Sequence, residues 1–150
     1  MNFKSELFYL AGIFDGEGCI SVTKGQDHKS INPHYSVVVA LGLTHEYIPQ
    51  LLRFHFGGSV YKMKPKYLGC KPAWKWQISS SNALSFLKII APYLRLKRAE
   101  AELAIRFQER NKEWSYIKRP TEIKAIDEAE CILMHSLKKN NQPIFEGVTK

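Results

Sequence analysis

Cysteine is scarce in this sequence, with only Cys19, Cys70 and Cys131, and no two of them have the Cys-x-x-Cys spacing. An odd, scattered set does not form a disulfide framework, so the sequence predicts a protein of a reducing, intracellular compartment. The five histidines form no zinc-type spacing with these cysteines, which argues against a structural zinc site.

Long hydrophobic runs are also missing. The apolar run from Leu7 to Phe14 is far shorter than the roughly 20 residues that a membrane-spanning helix needs, and no other run approaches that length. The first ten residues contain Glu6 and lack a small-residue cleavage site, unlike a secretory signal. We therefore expect a soluble protein of the cytoplasm or an organelle, with no membrane partner.

Acidic residues are absent between Tyr47 and Ala99, although the same stretch carries ten lysines and arginines and the whole chain has a net charge of +8. Such a local excess of positive charge is typical of phosphate binding and favours a nucleic-acid partner. A solvated basic face is the alternative, because a cluster of charges alone does not identify a ligand.

The length of 150 residues predicts one domain, 1–150, with a core over about 5–110 and a C-terminal helical extension over about 111–140. The hydrophobic periodicity predicts alternating helices and hairpins. They are a helix capped by Ser5 and ending near Phe14, strands at 19–24 and 34–43, a helix at 46–56, strands at 59–64 and 73–79, a helix capped by Ser81 or Asn82, and helices at 96–110 and 121–139. This order predicts an α+β fold, in which helices cover one face of an antiparallel sheet and the other face stays wet.

The nine residues from Leu10 to Gly18 end the first helix and lead directly into a strand. Their sequence, LAGIFDGEG, resembles the signature of the LAGLIDADG homing endonucleases, with five identical positions and four conservative ones. The segment Pro92–Arg98 resembles the lysine region that follows the second hairpin in that family. The match in element order extends over about residues 5–110.

The resemblance implies the LAGLIDADG fold, with an antiparallel sheet saddle that binds DNA. It also implies an intron-encoded endonuclease that cuts both strands of a long, pseudo-palindromic duplex and leaves short 3′ overhangs. In such an enzyme Glu17 and the backbone carbonyl of Gly16 bind Mg²⁺, or another divalent cation such as Mn²⁺.

A single chain offers few acids for this chemistry. Phosphodiester hydrolysis uses hard cations that flank the attacking and leaving oxygens, yet only Asp15 and Glu17 lie near the helix end. The rest of the chain holds no second copy of the motif, so the sequence predicts a two-fold homodimer. The small residues of the first helix allow close approach of a partner helix. The expected interface comprises Leu10, Ala11, Gly12, Asp15 and Gly16.

Two further catalytic candidates follow from the resemblance. Lys97 matches the lysine that polarises the site near the scissile phosphate in that family. His45 follows the second strand, where a polar residue often orders water, and a histidine there can also act as a base. The basic residue expected one turn further on has no clear match, and Gln50 or Arg53 are its possible replacements.

The open sheet face is expected to read DNA in the major groove, which admits a two-stranded ribbon. On the second strand this face carries small or polar groups, which leave room for a ligand. For the strand at 59–64 two registers remain open, with either Tyr61 and Met63 or Lys62 and Lys64 toward DNA. The expected DNA-contacting residues are Ser21, Thr23, Lys24, His34, Ser36, Tyr61, Lys62, Lys64, Lys66, Lys75 and Gln77.

Three alternatives remain open on the sequence alone. A maturase of the same fold would help to splice intron RNA and would need the basic surface but not Glu17. A non-cleaving relative would act as a DNA-binding regulator, although such a protein has no need to keep the acid. A basic interaction protein with an accidental motif is the third.

Overall fold

The computed structural model describes residues 2–25, 33–114 and 118–139, which alternate helices with two β-hairpins. The elements are α1 (Phe3–Glu17), β1 (Gly18–Gly25), β2 (His34–Leu43), α2 (Tyr47–Phe56), β3 (Ser59–Met63), β4 (Ala73–Ser79), α3 (Ser80–Ile90), a 3-10 turn (Ala91–Tyr93), α4 (Arg98–Glu113) and α5 (Thr121–Lys139). This arrangement confirms the α+β prediction. Across the described residues, none of the helices combines the length and the apolar character that crossing a bilayer requires.

The four strands form one antiparallel sheet in the order β1-β2-β4-β3. Val37, Val39 and Leu41 of β2 alternate toward the helices, where Trp76 and Ile78 of β4 join them in the buried core. The intervening residues of each strand lie on the opposite face, which is open. The period of two that predicted the strands therefore also separates the core face from the face available to a ligand.

Two predicted helix caps are wrong by a few residues. Helix α1 begins earlier than expected because the side chain of Asn2 accepts the backbone N–H of Ser5, with a distance of 2.9 Å. Helix α3 begins at Ser80 with Ser79 as its N-cap, rather than with Ser81 or Asn82. Polar residues follow one another at both sites, so sequence alone does not single out the capping residue.

The junction between α1 and β1 depends on one glycine. Gly18 donates its N–H to the carbonyl of Phe14 and ends the helix three residues later than predicted. A Cβ at Gly18 would overlap the ring of Phe14, which is fully buried. Glycine therefore lets the chain pass from helix to strand without a gap, and this places the end of α1 at the edge of the sheet.

The C-terminal helix α5 packs on β1 and α4. Cys131 and Met134 belong to the same buried cluster as Phe14 and Val22. The fully buried carboxylate of Asp127 accepts hydrogen bonds from Arg110 at 3.0 Å and from Arg119, which joins α5 to α4. Because a buried carboxylate is costly without such partners, this pairing fixes the position of α5 along the sheet edge.

Candidate nucleic-acid interface and active site

The open face of the sheet forms a concave surface, here called the trough. It is lined by Glu17, Cys19, Ser21, Thr23, Val38, Ala40, Leu41, Gly42, Met63, Lys75 and Gln77. The strand register aligns Ser21 with Val38, Ala40 with Gln77, and Tyr61 with Lys75. Small side chains at the centre and polar ones around them give a surface on which an extended polymer can lie.

Most of the residues predicted to contact DNA on the strands lie on this open face. Ser21 and Thr23 donate their hydroxyls to the carbonyls of Val38 and Ser36 at 3.3 and 3.2 Å, so their oxygens retain free lone pairs. The hydroxyls of Ser36 and Ser80 are 3.1 Å apart. His34 begins β2 opposite Gly25, at the end of the sheet distant from Glu17.

The register of β3 decides between the two possibilities left open by the sequence. Tyr61 and Met63 face the trough, and the hydroxyl of Tyr61 lies 3.4 Å from the side-chain oxygen of Gln77. Lys62 points to the opposite face, where its Nζ lies 5.7 Å from the ring centre of Trp74. Lys62 therefore does not face the trough, and its contact with phosphates or bases stays a prediction. Lys64 and Lys66 are exposed in the loop that follows β3.

Lys24 was also expected at DNA, and the structure places it on the helical side of the sheet. Its Nζ lies 2.8 Å from a carboxylate oxygen of Glu128 in α5. Tyr35 donates its hydroxyl to the same oxygen, and burial followed by this hydrogen bond raises the pKa of Tyr35 to about 12. Lys24 thus helps to hold α5 against the first hairpin.

The end of α1 organises the loop that carries Lys97. The carboxylate of Asp15 accepts three backbone N–H groups, from Arg95 and Leu96 at 3.0 Å and from Lys97 at 2.9 Å. The Nζ of Lys97 then donates to the backbone carbonyl of Asp15. Glu17, two residues further on, is exposed and lines the trough. Asp15 therefore fixes Lys97 against the last turn of α1, which also carries Glu17.

Substitution Asp15→Asn should lower the free energy of unfolding by about 2 kcal/mol, since hydrogen bonds to a charged group contribute roughly 1.5–3 kcal/mol. Asparagine keeps one acceptor oxygen but turns an NH₂ group toward N–H donors. Urea denaturation measures the loss. Glu113→Gln, which changes an exposed acid at the end of α4, is the control and should leave stability within about 0.5 kcal/mol. Equal stability of Asp15→Asn and the parent protein would contradict this role for Asp15.

The trough does not gather every predicted catalytic residue. On β2 its lining ends at Gly42, and His45 lies beyond it with its Nδ1 3.5 Å from the backbone N of Tyr47. Gln50 of α2 donates to Glu46, the N-cap residue of that helix, at 2.9 Å, and Arg53 is exposed on α2. Neither candidate replacement for the missing basic residue lines the trough.

The described part of a single chain offers few candidate metal ligands. Among the residues that the structure describes, no group of three or more His, Cys, Asp or Glu side chains could hold a metal ion. Glu17 is an exposed carboxylate, and the last carbonyls of a helix, such as that of Gly16, lack partners within the helix. Both offer oxygen atoms, the kind of ligand that Mg²⁺ and Mn²⁺ prefer.

The predicted dimer-forming residues of α1 divide into two groups. Leu10 and Ala11 are each 1% exposed and pack into the core of their own protomer. Gly12 and Gly16 are exposed, and a Cβ at either position would meet no atom within 4 Å. Nothing inside the protomer therefore requires glycine at these two positions.

The fold has close counterparts among solved structures of homing endonucleases. The archaeal intron-encoded I-Vdi141I, solved with DNA, matches with a TM-score of 0.77 and 10% identity, over 97% of this chain and 91% of that chain. I-CvuI, in complex with its target, matches with a TM-score of 0.72 and 19% identity, over 91% and 85%. The LAGLIDADG homing endonuclease I-GzeII, in complex with a DNA target, matches with a TM-score of 0.64 and 14% identity.

The chain has the LAGLIDADG homing endonuclease fold. The match to I-GzeII covers 96% of this chain but 54% of that chain, so one copy of this LAGLIDADG fold corresponds to about half of I-GzeII. The sequence matches no protein-family model and no curated protein sequence.

Two residues near the end of α1 in this LAGLIDADG fold were not predicted from the sequence. Cys19 lies in the trough, on the same face as Ser21 and Thr23, and the alternation of β1 could have found it. Lys138, at the end of α5, donates to the sulfur of Cys19 at 3.3 Å. No local signal could have found Lys138, because 119 residues separate it from Cys19.

Proposed function

We propose that this protein is a site-specific DNA endonuclease of the LAGLIDADG homing endonuclease family, acting over its whole length as one domain. Two copies form a homodimer through α1 and cut both strands of a long, pseudo-palindromic duplex, leaving short 3′ overhangs. The observation that carries the proposal is the position of Glu17. Glu17 is an exposed acid that lines the open trough. It ends helix α1, whose surface also exposes Gly12 and Gly16.

The homodimer explains the two exposed glycines of α1, which the packing of a single protomer does not require. Gly12 and Gly16 lie four residues apart on one helix face, where a second α1 can approach closely. A two-fold axis between the helices then brings the two Glu17 carboxylates together. Two carboxylates with backbone carbonyls make an oxygen-only site for divalent cations, preferably Mg²⁺ or Mn²⁺. When bound, such cations stabilise charge on the phosphate and activate a water for attack.

The trough supplies the base contacts in this proposal. Lys75 favours guanine and Gln77 favours adenine, with about 1–3 kcal/mol of discrimination for each good contact. Ser21, Thr23 and Ser36 offer hydroxyls along the same face, whereas Lys64 and Lys66 contact backbone phosphates from the loop. Lys97 lies close to the scissile phosphate, and His45 orders water or acts as a base only if it moves toward the trough.

A selection from random duplexes tests the function directly. Purified protein is incubated with a duplex library carrying a long randomised segment, with Mg²⁺ and, in parallel, with EDTA. Recovery of broken ends with a common, nearly palindromic sequence, in the Mg²⁺ sample only, supports the endonuclease. Binding without cutting indicates a regulator, and RNA-dependent splicing activity without DNA cutting indicates a maturase.

The affinity for duplex DNA should fall steeply as salt rises. A protein that neutralises about six to ten phosphates loses roughly 10³–10⁵ in affinity between 50 and 200 mM salt. We expect a loss within this range, measured by fluorescence anisotropy with a labelled duplex and without divalent cations. A slope of log Kd against log salt close to zero would contradict contact between the lysines and arginines of residues 47–99 and the phosphate backbone.

A further inference from the structure

The last turn of α5 brings a second lysine to the start of β1. Lys138 and Lys97 line one cavity together with Gly18, Cys19, Ile20, Leu96 and Glu100. The Nζ of Lys138 is 3.3 Å from the sulfur of Cys19, and Lys97 enters the cavity from the loop that Asp15 holds. Two lysines from distant parts of the chain therefore line one cavity at the start of the edge strand.

This cavity adjoins the trough at the end that carries Glu17. Cys19 lines both, since it belongs to the cavity wall and to the open face of the sheet. Glu17 precedes the shared residues Gly18 and Cys19 by one and two positions. A strand of DNA that places a phosphate at Glu17 therefore passes the mouth of the cavity with a neighbouring phosphate.

The charge of the cavity favours an anion. Among the residues that the structure describes, no carboxylate lies within ion-pair distance of Lys138 or Lys97. Among the described residues, Lys138 donates to a thiol, which is a weak acceptor, and Lys97 donates to a backbone carbonyl. Glu100 is the acid among the lining residues and is 4% exposed, so the lining carries two lysines and one acid and has a net positive charge.

We propose that Lys138 binds a DNA backbone phosphate next to the scissile one, so that α5 completes the active site. The inference deepens the proposed function and rests on it. Lys138 supplies a second cation in the cavity that adjoins the trough, whereas Arg53 of α2 does not line the trough. A phosphodiester oxygen is a strong acceptor and replaces the thiol of Cys19 as the partner of the ammonium group.

The test compares Lys138→Met with Lys138→Arg and with Lys139→Met. Lys139 is the matched control because it is an exposed lysine in the same turn that does not line the cavity. On a duplex recovered from the library, with Mg²⁺ and excess enzyme, we expect Lys138→Met to cut about tenfold more slowly, because it loses a charge that stabilises the reacting phosphates. Lys138→Arg should stay within about threefold of the parent enzyme and Lys139→Met within about twofold.

The salt dependence of binding gives a second readout that does not require cutting. Loss of one phosphate contact should reduce the slope of log Kd against log salt by about one for Lys138→Met, and by much less for Lys139→Met. Equal cutting by the parent and Lys138→Met, or equal defects in Lys138→Met and Lys139→Met, would overturn the inference while the endonuclease stands. If the parent cuts no duplex, the proposed function fails, and an unchanged slope for Lys138→Met then overturns the inference as well.

Discussion

Substitution Glu17→Gln should reduce double-strand cutting by about a thousandfold or more while the protein still folds and binds DNA. The amide has nearly the same size as the carboxylate but carries no charge for divalent cations, and removing one well-placed electrostatic group already costs about 10²–10³ in rate. The fold should be unaffected because Glu17 is exposed. Affinity for DNA measured without divalent cations should rise slightly, since an acid leaves the surface that faces the phosphates.

Single-turnover cutting of the selected duplex measures the rate, and anisotropy at fixed salt measures the affinity. Glu122→Gln is the matched control, because it changes an exposed acid in the first turn of α5 that does not line the trough. Full activity of Glu17→Gln would place the hydrolytic centre elsewhere. Loss of binding together with loss of cutting would make Glu17 a structural residue.

The elements of this fold could be predicted from sequence because each has its own local pattern. β2 alternates over ten residues, and its predicted limits, 34–43, match the structure. α5 was likewise predicted over its full range, 121–139, from the helical spacing of its apolar residues. The motif predicted Glu17 near the end of the first helix, and the structure ends α1 at Glu17, with Gly18 as the C-cap.

Lysines at the edges of the sheet could not be assigned in the same way. Lys24 and Lys62 have the positive charge expected at DNA, but each lies on the helical side of the sheet. The partner of Lys24, Glu128, is 104 residues away in the sequence, so its ion pair leaves no local signal. For Lys62 the deciding contact is the ring of Trp74 across the hairpin, which depends on a register that a lysine- and proline-rich loop does not specify.

The apolar surface of α1 posed a related problem. Nearly every position from Leu7 to Phe14 is apolar, so the sequence does not reveal which stripe packs in the protomer and which stripe is left for a partner. The structure separates them, because Leu7, Leu10, Ala11 and Phe14 are buried whereas Tyr9 is 51% exposed on the side that carries Gly12. The role of Asp15 was also hidden, since its three N–H donors come from residues 80 to 82 positions away.

The substitution Gly12→Leu should stabilise the isolated protomer and abolish assembly and cutting. Leucine has a better helix propensity than glycine by about 0.5–1 kcal/mol, and a Cβ at this position meets no atom within 4 Å in the protomer. In a two-fold dimer the added side chain appears twice at the point of closest helix approach. Overpacking costs about 1–3 kcal/mol at each site, so the dissociation constant should rise at least about 30-fold.

Sedimentation over a range of concentrations measures the dissociation constant, and thermal unfolding at concentrations where both proteins are monomeric compares the protomers. Ala129→Leu is the matched control, because it enlarges an exposed side chain in α5. A Gly12→Leu protein that remains dimeric and cuts at the parent rate would show that this face of α1 is free. No contact between α1 helices would then bring the two Glu17 carboxylates together, and the metal site would have to be complete within one chain. Loss of assembly combined with a rise in protomer stability would support the α1 interface. A general folding defect cannot produce this result, because such a defect lowers both the assembly and the stability of the protomer.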